Sequence, residues 1–135
     1  MSYAMTAALQ QAIFDRLSTD VEVTALVDGV FDALPAGDKP TLYALIGDET
    51  AVDRSDVSGA GARHDFTVSI LSDSSGFHSL KQAAAAVNDA LLSAPLSLSR
   101  GAVVGLWFLK ATTKRHTRDA ERRIDLKFRV RVEET

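Results

Sequence analysis

Met5, Leu9, Ala12, Ile13 and Leu17 recur at spacings of three and four, which predicts an amphipathic helix over residues 4–17 with Gln10, Gln11, Asp15 and Arg16 on its polar side. Asp20 suits the cap of a second, short helix over Val21–Val27, because its carboxylate can accept a backbone N–H two or three residues on; Asp28-Gly29 then ends it. Val30 to Leu34 and Thr41 to Gly47 read as two short strands around the turn sequence Pro35-Ala36-Gly37-Asp38, and are expected to form a hairpin. Residues 48–63 (DETAVDRSDVSGAGAR) carry few large apolar side chains and many turn formers, so they read as a long mobile loop of the kind small domains keep for binding.

Beyond that loop Phe66, Val68 and Ile70 alternate with Thr67, Ser69 and Leu71 as a third strand, closed by Ser72-Asp73-Ser74-Ser75-Gly76. Leu80, Ala83, Ala84, Val87, Leu91 and Leu92 form the apolar stripe of a helix from about Phe77 to Ser93, stopped by Ala94-Pro95. Ala102–Thr112 and Arg122–Val132 are two long strands. In the second, Ile124, Leu126, Phe128, Val130 and Val132 point one way and Asp125, Lys127, Arg129 and Arg131 the other. The connector 113–121 is charged throughout and reads as a hairpin tip. The pattern therefore predicts an α+β fold in one domain: a sheet of about five mainly antiparallel strands, with a long amphipathic helix and the N-terminal helices packed on one face.

Composition narrows the function more than the fold. The 135 residues contain no cysteine, which removes thiolate nucleophiles, disulfides and sulfur-ligated zinc and suits a reducing cytoplasm. Neither a signal-peptide pattern nor an apolar run long enough to span a bilayer is visible, so no membrane partner is expected. The formal charge of −3 argues against a dedicated nucleic-acid binder. It is split unevenly, however: residues 1–99 sum to −8 and residues 100–135 to +5. Such a molecule can stack on copies of itself or on complementary partners, or its basic end can pair with acidic loops of its own fold.

Catalytic chemistry finds no purchase. His64, His78 and His116 are read as solvated surface histidines, with no second ligand at helical spacing. Asp48 and Glu49 are adjacent carboxylates better suited to capping or partner contacts than to a general base, because neighbours on an extended chain point apart. Gly59-Ala60-Gly61 completes no phosphate-binding motif and Ser79 sits in no nucleophile elbow, so no enzyme, cofactor or metal is expected. The cluster Lys114-Arg115-His116-Thr117-Arg118, followed by Arg122-Arg123, lacks interleaved aromatics and suits a solvated or partner-facing hairpin better than a DNA grip. Trp107 is expected in the core, an oligomer anchor being the alternative.

The element order carries a resemblance. Two N-terminal helices, VFDALPAGDKPTLYALIGDE, a polar loop, HDFTVSILSDSSG before one amphipathic helix, and the closing strand LKFRVRVE resemble the tail completion, or tail terminator, proteins of long-tailed phages. Within that family the resemblance points to the branch found in the phage-like gene transfer agents of Rhodobacter and its alphaproteobacterial relatives. It implies a hexameric ring that caps the head-proximal end of the tail tube, ends its polymerisation and joins it to a head stopper or connector. Assembly would take place in the bacterial cytoplasm, with DNA only in transit through the lumen. In such a ring the charged residues of the two projecting segments are the expected partner or ring interface: Asp48, Glu49, Asp53, Arg54, Asp56 and Arg63 on one, Lys114, Arg115, Arg118, Arg122 and Arg123 on the other. A non-catalytic regulatory module that binds a protein or small ligand is the competing reading.

Overall fold

The computed structural model describes residues 3–34, 36–55, 61–73, 76–115 and 121–134. The chain runs α1 (Thr6–Thr19), α2 (Val21–Leu26), β1 (Val30–Phe31), β2 (Leu42–Asp53), β3 (Gly61–Ser72), α3 (Phe77–Leu92), β4 (Ala102–Arg115) and β5 (Arg122–Glu133). These strands make one five-stranded sheet in the order β1-β2-β3-β5-β4, antiparallel except for the parallel pair β1–β2.

The predicted stripes build the core. Met5, Leu9, Ile13 and Leu17 of the first helical segment, and Leu80, Ala83, Val87 and Leu91 of α3, bury against Phe66, Val68 and Ile70 of β3 and the inward row Ile124 to Val132 of β5. Asp20 caps α2 as its position suggests, its carboxylate accepting the Val23 N–H at 3.0 Å. Arg16 ties α1 to the end of α3 by donating to the carbonyls of Ala90, Ala94 and Pro95 at 2.8–3.1 Å. Gly101, with φ +80, turns the chain into β4 where Met5 and the Glu133 carbonyl leave no room for a side chain.

Three local expectations are overturned. No hairpin joins β1 to β2: Val30 pairs with Ala44 and Phe31 with Leu45 in parallel. Asp28 fixes this arrangement, because its N–H donates to the Leu42 carbonyl while its carboxylate accepts the Leu42 N–H. Nor is 48–63 a loop throughout, since β2 extends to Asp53 and β3 begins at Gly61. Pairing of β2 with β3, and of β3 with β5 along its whole length, supplies the backbone hydrogen bonds that hold these small, polar residues extended. Residues 56–60 lie outside the described residues. Thr113, Lys114 and Arg115 are likewise strand rather than tip.

Candidate functional site

The sheet has one face under the helices and one without them. On the uncovered face, cross-strand neighbours of β3, β5 and β4 form rows of charge: Asp65 beside Arg129 beside Trp107, Ser69 beside Asp125 beside Thr112, and Thr67 beside Lys127 beside Lys110. Arg129 grips Asp65 with two bonds of 2.9 and 3.0 Å, a fork-to-fork pair that holds the Asp65 carboxyl below the usual carboxylate range. Asp125 collects three donors, Ser69 at 2.6 Å, Arg123 at 2.7 Å and Lys114 at 3.3 Å. Burial pushes its acidity one way and these bonds and charges push it further the other, leaving it depressed. The basic end thus draws largely on local carboxylates, with Arg131 near Glu133 and Arg100 on Glu134, while Arg129 reaches across to the acidic portion of the chain.

The predicted interface residues separate into two groups at opposite ends of the strands. Register places Asp53 of β2 at the level of Ala62, Val132 and Val103, whereas Leu42 shares its level with Ser72, Arg122 and Arg115. At the first end Asp53 closes a turn by accepting from the Ser55 N–H and hydroxyl, and Arg54 offers its carbonyl to Arg131. Arg63 stands 3.9 Å from Asp65. Asp48 is exposed in a β-bulge between Gly47 and Glu49. At the other end Arg115 and Arg122 lie over the Phe77 ring, 5.5 and 5.8 Å from its centroid, and Lys114 and Arg123 converge on Asp125. Asp56, Arg118 and His116 lie outside the described residues.

Three residues depart from expectation. Glu49 is a strand residue rather than part of a loop: it stays exposed, but the bulge turns it toward the helix-covered face, where it accepts from Thr6 at 2.8 Å and meets His64 at 2.6 Å. His64 is not solvated but fully buried, with Tyr3 stacked on it at 6.4 Å. Trp107 is not in the core, being 50% exposed on the uncovered face. Its ring lies over Gly105, where a Cβ would come within 2.6 Å of it. Val104 and Leu109 are exposed in the two bulges of β4, and Phe108, also exposed, turns to the helix-covered side against Phe128, so the apolar run without alternation in the sequence corresponds to an exposed edge rather than to one face. Among the described residues no group of three or more acidic, His or Cys side chains is placed to hold a metal ion.

Comparison with known proteins assigns this architecture. Along nearly its full length the chain is similar to one in the virion of a native gene transfer agent (GTA) particle, with 50% identity, a TM-score of 0.91, and coverage of 98% of this chain and 99% of that one. The structure of bacteriophage SPP1 gp17 protein shares the fold at 21% identity and a TM-score of 0.58, over 96% of this chain and 91% of that one. The comparison with curated proteins returns no match. The family described as Tail completion protein gp17 matches residues 11–133, and the chain belongs to it.

Proposed function

We propose that this protein is a structural virion component, not an enzyme, and acts as the tail terminator of a phage-like particle. A homo-oligomeric ring, a hexamer on the family analogy, caps the head-proximal end of the tail tube, stops its growth and joins it to the head stopper or connector. DNA passes through the lumen during delivery. The observation that carries this reading is the full-length, 50% identical likeness to a chain of a gene transfer agent virion. The geometry supports it in a second way, because an axial connector must meet different proteins above and below, and the charged residues Asp53 and Arg54 lie at the opposite end of the strands from Lys114, Arg115, Arg122 and Arg123. Ring and partners are assembled in the cytoplasm of the producing cell. Passage of DNA calls for weak contacts, and many cations of the uncovered face are already engaged by Asp65 and Asp125.

Cryo-electron microscopy of particles from producing cells tests the reading. The expected result is one ring of this chain between tube and head connector, and on deletion of the gene, overlong or headless tubes. Normal tails joined to heads in the deletion strain would overturn it.

A further inference from the structure

The sheet has two unfinished edges. Among the described residues β4 pairs with β5 and with no strand beyond it, and on the far side β1 covers only Ala44 and Leu45 of β2, leaving Ile46 to Asp53 with no strand outside them. Open edges offer rows of backbone donors and acceptors, and proteins that stay apart usually guard them with charge, proline or bulges. The N-terminal half of β4 has two bulges but neither charge nor proline. Val104, Trp107, Phe108 and Leu109, 57%, 50%, 42% and 38% exposed, point to both faces and fill both bulges of the strand, and charge begins only at Lys110.

We infer that β4 is the lateral seam of the oligomer: its free edge pairs antiparallel with the free edge of β2 in a second copy, so that the sheet runs on from one subunit to the next. This rests on the ring reading above. Strand direction supports it, because β2, β3, β5 and β4 alternate; a copy rotated about an axis along the strands brings its β2 antiparallel to β4. Such a contact joins unlike surfaces, head to tail, as a closed ring requires.

Level and charge agree with this pairing. Phe108 shares its level with Phe128, Phe66 and Glu49, so the apolar half of β4 stands opposite the uncovered Gly47–Val52 stretch. Thr113 shares its level with Ile124, Ile70, Ala44 and Val30, so the basic end of the strand, with Lys114 and Arg115, faces the β1 margin, where Asp28 and Asp32 are exposed, while Lys110 stands level with Gly47. Edge and complement lie on one chain, which makes a second copy the occupant.

The absence of native cysteine gives a clean test in particles purified from producing cells. A double variant with Leu109→Cys and Asp48→Cys, the two exposed bulge residues at one level, is oxidised and run without reductant. A ladder of covalent multimers of this chain alone is expected, with at most dimers from either single variant. Trp107→Glu with Leu109→Glu should lower incorporation into particles about tenfold or more, while the purified variant keeps its circular dichroism and melting temperature. Normal incorporation of both double variants without a ladder would overturn the seam and leave the ring reading standing. Cross-linking of Leu109→Cys to another virion protein would overturn it too, assigning β4 to that partner. A single copy per tail would overturn seam and ring together.

Discussion

Nδ1 of His64 lies 2.6 Å from Oε1 of Glu49, inside the sheet–helix interface and beneath the Tyr3 ring. The contact depends on the bulge at Asp48, which sets Glu49 opposite Phe66, and it anchors the start of α1 as well, since Thr6 donates to the same oxygen. Burial raises the Glu49 carboxyl, but the bonds from His64 and Thr6 outweigh that and hold it below its ordinary value. Among the described residues Nε2 of His64 has no hydrogen-bond partner, so removing Glu49 takes away the polar contact the ring has there. Glu49→Ala should lower unfolding free energy by about 1–3 kcal/mol in a urea titration, and Glu49→Gln by less. A change below about 0.5 kcal/mol for the alanine variant would show the contact to be idle.

What the sequence disclosed follows from how each element is held. The stripes Met5 to Leu17 and Leu80 to Leu91 and the alternation of β5 are set by burial against one another, so periodicity alone revealed them. Residues 48–53 and 61–63 are strand because β3 has partners on both sides, a non-local cause that leaves no apolar pattern in a run such as DETAVD. His64 misled for the same reason, its partner lying 15 residues away in sequence. Trp107 sits among apolar neighbours, a pattern that points to the core, yet edge position, not composition, decides exposure in β4. That Asp53 and Arg54 lie at the opposite end of the strands from Lys114, Arg115, Arg122 and Arg123 follows only from the register, which the sequence does not carry.

Acid stability should follow three carboxylates. The Arg129 fork lowers Asp65, and Asp125 and Glu49 are lowered by their donors against the effect of burial. A carboxyl more acidic in the folded chain binds fewer protons there than in the unfolded chain between the two values. Its contribution is therefore complete above the ordinary carboxylate range, near pH 4, and is lost as pH falls through the depressed folded value. Melting temperature should stay level down to about pH 5 and fall steeply below about pH 4. Asp65→Asn should flatten that fall; an unaltered acid limb would show that Asp65 does not contribute to it.

Arg16 carries a structural duty that its polar-face position conceals. Its guanidinium donates to the Ala90 carbonyl in the last turn of α3, one of those a helix end leaves without an intrahelical backbone partner, and to the Ala94 and Pro95 carbonyls of the chain just beyond it. Arg16→Ala should cost about 1–3 kcal/mol in chemical denaturation, and Arg16→Lys nearly as much, because an ammonium cannot span all three. Recovery of wild-type stability by the lysine variant would mean that charge near the helix end suffices.

Gly101 answers two demands at once. Its φ of +80 disfavours any L side chain, and a Cβ there would lie 2.8 Å from the Glu133 carbonyl and against Met5. Gly101→Ala should destabilise by about 2–4 kcal/mol, the sum of backbone strain and overpacking, and Met5→Ala in the same chain should not restore the loss, because the carbonyl clash and the φ penalty persist. Full recovery in that double variant, measured by thermal melts, would place the whole constraint on Met5.

The basic hairpin separates folding from assembly residue by residue. Arg115 and Arg122 share the Phe77 ring, so reversing either charge removes a cation–π contact worth about 0.5–1 kcal/mol in addition to any lost partner contact. Arg123 is bound to Asp125 and Ser69, and Arg123→Glu would set two carboxylates together. Lys114 is the more exposed donor to Asp125, its side chain 54% open, so Lys114→Ala should leave stability within about 0.5 kcal/mol. Reversal of Arg115, Arg118, Arg122 and Arg123 together should therefore abolish particle assembly with a measurable loss of stability. Phe77→Leu, which removes the ring and keeps every charge, should cost stability but still assemble at permissive temperature. Particle counts alongside melting curves decide the matter: normal assembly with all four charges reversed would sink the idea that this hairpin is an interface, and failure of Phe77→Leu at full stability would point to Phe77 itself.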